Sequence, residues 1–313
     1  MTTLVIGGRG FIGRHVVDVL AASGEDVVVF DRHADASLDT EAVRHVRADF
    51  SDSTQLDRAL ARYRISRVVH LVSSTLPKSS NEDMRFDYQS NVVQTLALLD
   101  ACVRNEVGKI VFISSGGTVY GIPRTTPMDE THPTDPTCSY GIGKLTIEKY
   151  IALYQHLYGL RHVILRAANP YGPGQDAARG QGVIAQFVRN MREGRPLEVW
   201  GDGTIVRDYF HVRDFAELVR SALFSEACGV FNAGSGNATS INALIRILES
   251  ATGVLADVRY REPRRFDAPA VVLDCRKAAA CFDWRPAIGL VDGITQFVSW
   301  FDDTRTQRDG NLK

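Results

Sequence analysis

The chain has 313 residues, of which 44% are hydrophobic and 23% charged, with a formal net charge of −1. That length and apolar content suit one large α/β unit or two interlocked domains with a substantial core. A charge near zero excludes a field able to hold nucleic acid or an anionic membrane, so any grip on phosphate has to be local. Five cysteines, Cys102, Cys138, Cys228, Cys275 and Cys281, form no CxxC pair, no metal spacing and no nucleophile motif. The pattern predicts reduced thiols, no metal site and a cytoplasmic protein. Met1 to Gly7 runs straight into a strand without a basic segment or leader-like core. No apolar run approaches the roughly 18 residues of a membrane span.

In chain order, Leu4–Ile6 reads as a short apolar strand that stops at glycines, followed by a helix carrying Val16, Val17 and Leu20. Val27–Phe30 is the next strand. Further strands are expected at Arg67–His70, Lys109–Ile113 and His162–Leu165, with helices around Leu56–Tyr63, Asn91–Asn105 and Ser139–Tyr158. Continuous apolar runs separated by helices indicate a parallel sheet buried on both faces, which is a doubly wound α/β fold of the Rossmann type. After Arg166 the segments shorten and grow richer in Arg, Gly and Asp. The division expected is a dinucleotide-binding domain over 1–168 and a smaller substrate domain over 169–313, with a segment near 205–235 returning to the sheet. Thr304–Lys313 is a polar tail.

Gly7-Gly8-Arg9-Gly10-Phe11-Ile12-Gly13 lies between the first strand and the first helix. Glycines at this place permit a tight turn and close approach of backbone to a pyrophosphate, and helix-terminal N–H groups complement its charge. Asp31 closes the second strand, where a carboxylate can accept both ribose hydroxyls and would repel a 2′-phosphate. NAD is therefore expected over NADP, with the adjacent Arg32 the one feature that argues the other way. Ser139-Tyr140-Gly141-Ile142-Gly143-Lys144 places Tyr140 and Lys144 four residues apart on one helix face. A free tyrosine is a poor base at neutral pH, but a nearby ammonium and a positive nicotinamide ring both favour its phenolate.

With these motifs the chain resembles the extended short-chain dehydrogenase/reductase family, in its NAD-dependent nucleotide-sugar epimerase and dehydratase branch. The resemblance rests on GGRGFIG, Asp49 after a short strand, His70-Leu71-Val72-Ser73 and Asn91-Val92. It continues through SSGGTVYG at 114–121, SYGIGK at 139–144, RAANPYGPGQ at 166–175, GDGTIVRDYFHVRD at 201–214 and RRFDAPAVVLD at 264–274. It implies that Gly7, Gly10 and Gly13, with Phe11 and Ile12, cradle the cofactor pyrophosphate. Asp31 and Arg32 would meet the adenosine ribose, and Asp49 and Phe50 would flank the adenine. Leu71, Ser73, Asn91 and Ser114 fall on the cofactor side, with Asn91 expected to tether its helix to the sheet, and Lys144 would hold the nicotinamide ribose. On the sugar-nucleotide side the resemblance implies Asn169, Arg207 and Tyr209, then Arg264 with Asp267 and a residue gating the C2 substituent at Val271. Whether Arg264 or Arg265 meets phosphate stays open.

One departure concerns the chemistry. The family's catalytic Ser or Thr falls at Gly116, so the expectation passes to Thr118 as the hydroxyl that meets the reacting sugar oxygen. The acidic pair that sugar dehydratases carry falls on Gly117 and Thr118, which argues against dehydration. The resemblance thus implies a 4-epimerase of a UDP-hexose, with a small residue at Val271 leaving room for an N-acetyl group and uronates also in scope. The alternatives are a net oxidoreductase on a nucleotide-sugar and a silent NAD-binding protein. The helices at 91–105 and 139–158 resemble those that pair between subunits, so a homodimer is expected.

Overall fold

The computed structural model describes residues 1–177, 182–263 and 268–310. Its first half alternates strand and helix: β1 (Thr2–Ile6), α1 (Phe11–Ala22), β2 (Asp26–Asp31), β3 (Val43–Arg47), α2 (Ser53–Arg62), β4 (Ile65–His70), α3 (Met84–Asp87), α4 (Gln94–Arg104), β5 (Lys109–Ser115), α5 (Ser139–Tyr158) and β6 (Arg161–Ala167). The second half is more broken: β7 (Asn169–Tyr171), α6 (Val183–Arg192), β8 (Leu197–Trp200), β9 (Val206–Arg207), β10 (Tyr209–His211), α7 (Val212–Phe224) and β11 (Gly229–Ala233). It continues with β12 (Thr239–Ser240), α8 (Ile241–Thr252), β13 (Val258–Arg261), β14 (Ala270–Val271), α9 (Arg276–Phe282) and α10 (Leu290–Gly310).

Seven parallel strands form the main sheet in the order β11-β6-β5-β4-β1-β2-β3. The doubly wound fold expected from the apolar runs is therefore present. The chain steps from β1 outward to β2 and β3, then resumes on the other side of β1 with β4. The loops leaving β1 and β4 diverge at that switch point and open a crevice at the carboxyl edge of the sheet.

Strand alternation sends side chains to two helical layers. Leu4, Ile6, Val28, Phe30, Val68 and Phe112 pack on one face with Leu56 of α2, Leu98 of α4 and Ile147 and Ile151 of α5. Val5, Val29, Val69, Val111 and Leu165 pack on the other with Val16 and Leu20 of α1 and Phe215 and Leu218 of α7. A third cluster, with Val188, Leu197, Leu244, Leu248 and Phe297, unites α6, β8, α8 and α10.

β11 joins the main sheet beside β6, and α7 packs on α1 in the same core. α9 sits there too, with the Phe282 ring centroid 4.6 Å from that of Phe231. The helix expected from Asn91 begins earlier, as a π-helical segment Tyr88–Val93 that runs into α4. Such segments tend to occur near functional sites.

Candidate active site

The glycine turn after β1 is held by Gly7 N donating to Phe30 O at 2.9 Å and Gly10 N donating to Gly7 O at 3.0 Å. Gly7 has a φ of 85°, and a Cβ at Gly13 would stand 2.1 Å from Gly7 O, so side chains are excluded where α1 crosses the turn. No side chain caps α1 at Gly10, which leaves its first-turn amides for an anionic ligand. Asp31 at the end of β2 accepts from Arg9 N at 3.1 Å and His33 N at 2.9 Å, which fixes its carboxylate beside the turn. These residues fit a dinucleotide.

From this turn a cavity of about 880 Å³ extends across the sheet edge. Gly7, Gly10, Phe11, Ile12, Gly13 and Arg32 line one end, Leu71 and Ser73 the middle, and Tyr140 and Lys144 face them. Both of the latter lie in the first two turns of α5. That helix has no cap of its own at Cys138. The loop after β4 caps it instead, with Ser139 N donating to Asn81 Oδ1 at 2.9 Å and Tyr140 N donating to Ser80 Oγ at 3.1 Å.

Lys144 Nζ donates to Ile113 O at 2.9 Å, 4.7 Å from the centre of the Phe112 ring and 5.6 Å from that of Tyr140. Burial lowers the Lys144 ammonium to about 8, while the carboxylates of Glu148 and Asp87 pull it up. Burial also pushes the Tyr140 phenol up to about 12, with the Ser73 hydroxyl pulling it down. In the chain alone, then, burial favours the neutral phenol of Tyr140 and brings the Lys144 ammonium closer to neutrality while leaving it the main form at pH 7. A positive ring bound against Tyr140 would reverse that for the phenol.

Several expected contacts lie elsewhere. Ser114 turns away from the cavity and donates to Glu148 Oε1 at 2.5 Å, within a buried ion pair between Glu148 and Arg166. Asn91 is buried and spends its amide on the loop and helix around it, accepting from Ser74 N at 2.9 Å and donating to Thr75 Oγ1 at 3.2 Å and Asp87 O at 2.9 Å. It tethers, and does not line the cavity. Asp49 is exposed and accepts from Ser51 N and Oγ, which lowers its carboxyl below the usual range. Phe50 is buried with its ring 5.0 Å from that of His70. Neither lines the cavity wall.

On the substrate side Asn169, Arg207 and Tyr209 all line the cavity. Asn169 Nδ2 donates to Asp208 O at 2.9 Å, and Arg207 Nη1 donates to Val206 O and Ala268 O at 2.8 and 2.9 Å. Asp208 itself turns to Ser235 N and Oγ and Gly236 N. Val271 does not reach the cavity. It packs in a small core with Val119, Tyr120, Met128 and Leu273. Arg264, Arg265 and Asp267 lie outside the described residues. Thr118 does not line the cavity either, although its buried Oγ1 has no hydrogen-bond partner among the described residues. Gly116 is enclosed, and its missing side chain has a tenant: Leu273.

Lys78, Gln175 and Trp200 also line the cavity, and nothing in the local sequence singles out Lys78 or Trp200. Asp87 carries no sequence signal either, because its partner Ser139 lies 52 residues along the chain.

Residues 3–234 match the NAD dependent epimerase/dehydratase family. A UDP-glucose 4-epimerase from Mycolicibacterium smegmatis is 34% identical over 309 residues, covering 96% of this chain and 98% of that one. A dTDP-4-dehydro-6-deoxyglucose reductase from Escherichia coli is 30% identical over 303 residues, covering 94% and 96%. Among solved structures, UDP-glucose 4-epimerase from Thermotoga maritima with UDP-glucose superposes with a TM-score of 0.93 at 33% identity, covering 97% of this chain and all of that one. With the glycine turn and the Tyr140–Lys144 pair lining one crevice and Asp31 bonded to Arg9 N beside that turn, the chain belongs to the NAD dependent epimerase/dehydratase family.

Proposed function

We propose that the protein is an NAD-dependent 4-epimerase of UDP-linked hexoses. The observation that carries this reading is the meeting, in one cavity, of the glycine turn, the Tyr140–Lys144 pair and the Asn169–Arg207 side. Bound NAD supplies a hydride acceptor that becomes the donor once the sugar has been oxidised, so it is regenerated in each cycle. Gly7, Gly10 and Gly13 would hold its pyrophosphate and Asp31 its adenosine ribose. Lys144, held by Ile113 O beside Tyr140, would bind the nicotinamide ribose and favour the phenolate. Tyr140 would take the proton of the C4 hydroxyl as the base and return it as the acid. Asn169 and Arg207 would grip the diphosphate, for which a planar guanidinium is well shaped. A firm hold on the nucleotide with few charges around the hexose lets the oxidised sugar turn its other face to the cofactor.

Thr118 is our choice for the hydroxyl missing at Gly116, because its Oγ1 is buried and unpartnered among the described residues. The N-acetyl and uronate forms stay within the proposed substrate class. We further propose a cytoplasmic homodimer. Five free cysteines suit a reducing compartment, and no helix among the described residues is long and apolar enough to cross a membrane. On α5, Ile142, Leu153 and Leu157 are exposed within roughly 60° of helical arc, and Val93 is exposed at the start of the neighbouring α4. An apolar stripe of this kind on paired helices suits self-association.

The test is epimer formation without added NAD, followed by NMR of the sugar protons. The panel is UDP-glucose, UDP-galactose, their N-acetyl forms and UDP-glucuronate. A new C4 epimer from any of them is the expected result, and none from the whole panel, with NAD then added, would sink the reading. The similarity to the Escherichia coli reductase favours a second reading, net reduction of a nucleotide-linked 4-keto sugar. Stoichiometric consumption of added NADH at 340 nm would establish it instead.

A further inference from the structure

Asp87, the last residue of α3, is 2% exposed and stands just ahead of the π-helical segment Tyr88–Val93. Its carboxylate receives three side-chain donors from three places. Thr75 Oγ1, on the loop after β4, and Asn91 Nδ2, at 3.0 Å, both donate to Oδ1, and Ser139 Oγ, on the first residue of α5, donates to Oδ2 at 2.6 Å. All are donors, as an acceptor-only group requires. Among the described residues no Lys, Arg or His makes an ion pair with it, which is unusual for so buried a carboxylate.

Its position explains the charge. A Cβ at Gly143, between Tyr140 and Lys144 on α5, would stand 3.9 Å from Asp87 Oδ2, so the carboxylate lies against that stretch of the helix. The other groups facing the pair are few. Glu148, one turn along α5, is matched by Arg166, whose Nη2 is 2.7 Å from it. His70, on β4, is held neutral by burial, and Cys138 precedes α5. Asp87 is thus the unmatched negative charge facing the Lys144 ammonium. Its charge raises both Lys144 and Tyr140.

We propose that Asp87 is the positioning residue of the Tyr140–Lys144 pair: its carboxylate clamps the loop after β4 to the first turn of α5 and supplies the countercharge to Lys144. The proposal rests on reading that pair as the acid–base machinery. Asp87 also organises the cavity wall, because Thr75 and Ser73 belong to one loop and Ser73 Oγ donates to Thr75 O at 3.1 Å.

The test is an NMR titration of the full chain labelled with [ε-13C]lysine, the Lys144 signal being assigned by Lys144→Arg. The wild-type midpoint is expected near 8. Asp87→Asn should move it to lower pH by about one pH unit, as loss of a nearby opposite charge does, and Asp87→Glu should return it. A midpoint that does not move in Asp87→Asn overturns the proposal. Should that variant not fold, Ser139→Ala keeps the charge and removes the tie to α5. Amide exchange over Tyr140–Lys144 should then speed up by about tenfold, and unchanged exchange overturns the proposal. Neither readout uses turnover, so a wild-type chain that forms no epimer sinks the epimerase reading while this one is judged separately.

Discussion

Leu273 occupies the space that a side chain at Gly116 needs: a Cβ there would stand 2.5 Å from Leu273 Cδ1 and 3.1 Å from Arg166 O. Leu273 is fully buried in an isolated bridge to Met128, with Met128 N donating to Val272 O at 2.9 Å and Asp274 N donating to Met128 O at 2.7 Å. Restoring the family hydroxyl by Gly116→Ser should therefore destabilise the chain by about 1–3 kcal/mol, as overpacking does. The cost should shrink once Leu273→Ala has opened the space, although that change alone costs about 2–5 kcal/mol. Urea melts of the four chains measure the coupling, which should exceed about 0.5 kcal/mol. Equal costs of the serine in both backgrounds would show that Leu273 is not what excludes it.

If Lys144 is the cation of the proposed acid–base pair, its ammonium sets an upper pH limit on activity. Burial lowers it to about 8 from an ordinary value near 10.5. The cation is the form that holds the phenolate, so turnover should fall as pH rises through about 8. Lys144→Arg keeps a charge to far higher pH. Its turnover should be lower at neutral pH, because a planar fork does not reach Ile113 O and the ribose as an ammonium does, but the fall near pH 8 should vanish. A pH–rate profile of the variant that still turns down at the same pH would assign that limb to another group.

Local chemistry made much of this legible in the sequence. The glycine turn, Asp31 and the Tyr140–Lys144 spacing are short-range patterns whose geometry follows from one strand–turn–helix or one helix face, and α5 spans Ser139–Tyr158 as its pattern predicts. Ser114 and Val271 were misplaced because each lies on or beside a strand, where a side chain's face depends on the pleat and a step of one residue exchanges cavity for core. Asp87 and Gly116 were opaque for a different reason. Their meaning comes from partners far along the chain, Ser139 for the first and Leu273 for the second, and only packing brings those together.

Glu148 and Arg166 form a buried pair, with Arg166 Nε 3.1 and 3.2 Å from the two carboxylate oxygens and Nη2 2.7 Å from Oε2. Removing one member leaves the other charge buried without its partner. Glu148→Gln should cost about 3–5 kcal/mol of stability, whereas replacing both residues by apolar ones of similar volume should cost far less than the sum of the single changes. Thermal melts of the single and double variants check this. Additive losses would mean that the two side chains contribute by packing alone, Arg166 through its place 4.8 Å from the Tyr120 ring centre.

The exposed stripe on α5 offers a direct test of assembly. Ile142, Leu153 and Leu157 face outward from a helix whose inner face, with Ile147 and Ile151, is already satisfied by the core. The next helix is tied alongside by Tyr154 Oη donating to Asp100 Oδ1 at 2.5 Å. If two copies meet on these helices, Leu153→Glu with Leu157→Glu places four like charges in the interface, two from each copy, and desolvates them. Light scattering should then report a mass near 34.5 kDa in place of its double. Leu255→Glu is the control, because Leu255 is 87% exposed and lies outside these helices, so adding a charge there should leave the mass unchanged. An unchanged mass in the α5 variant would remove this face as the interface, and a wild-type mass near that of one chain would remove the dimer itself.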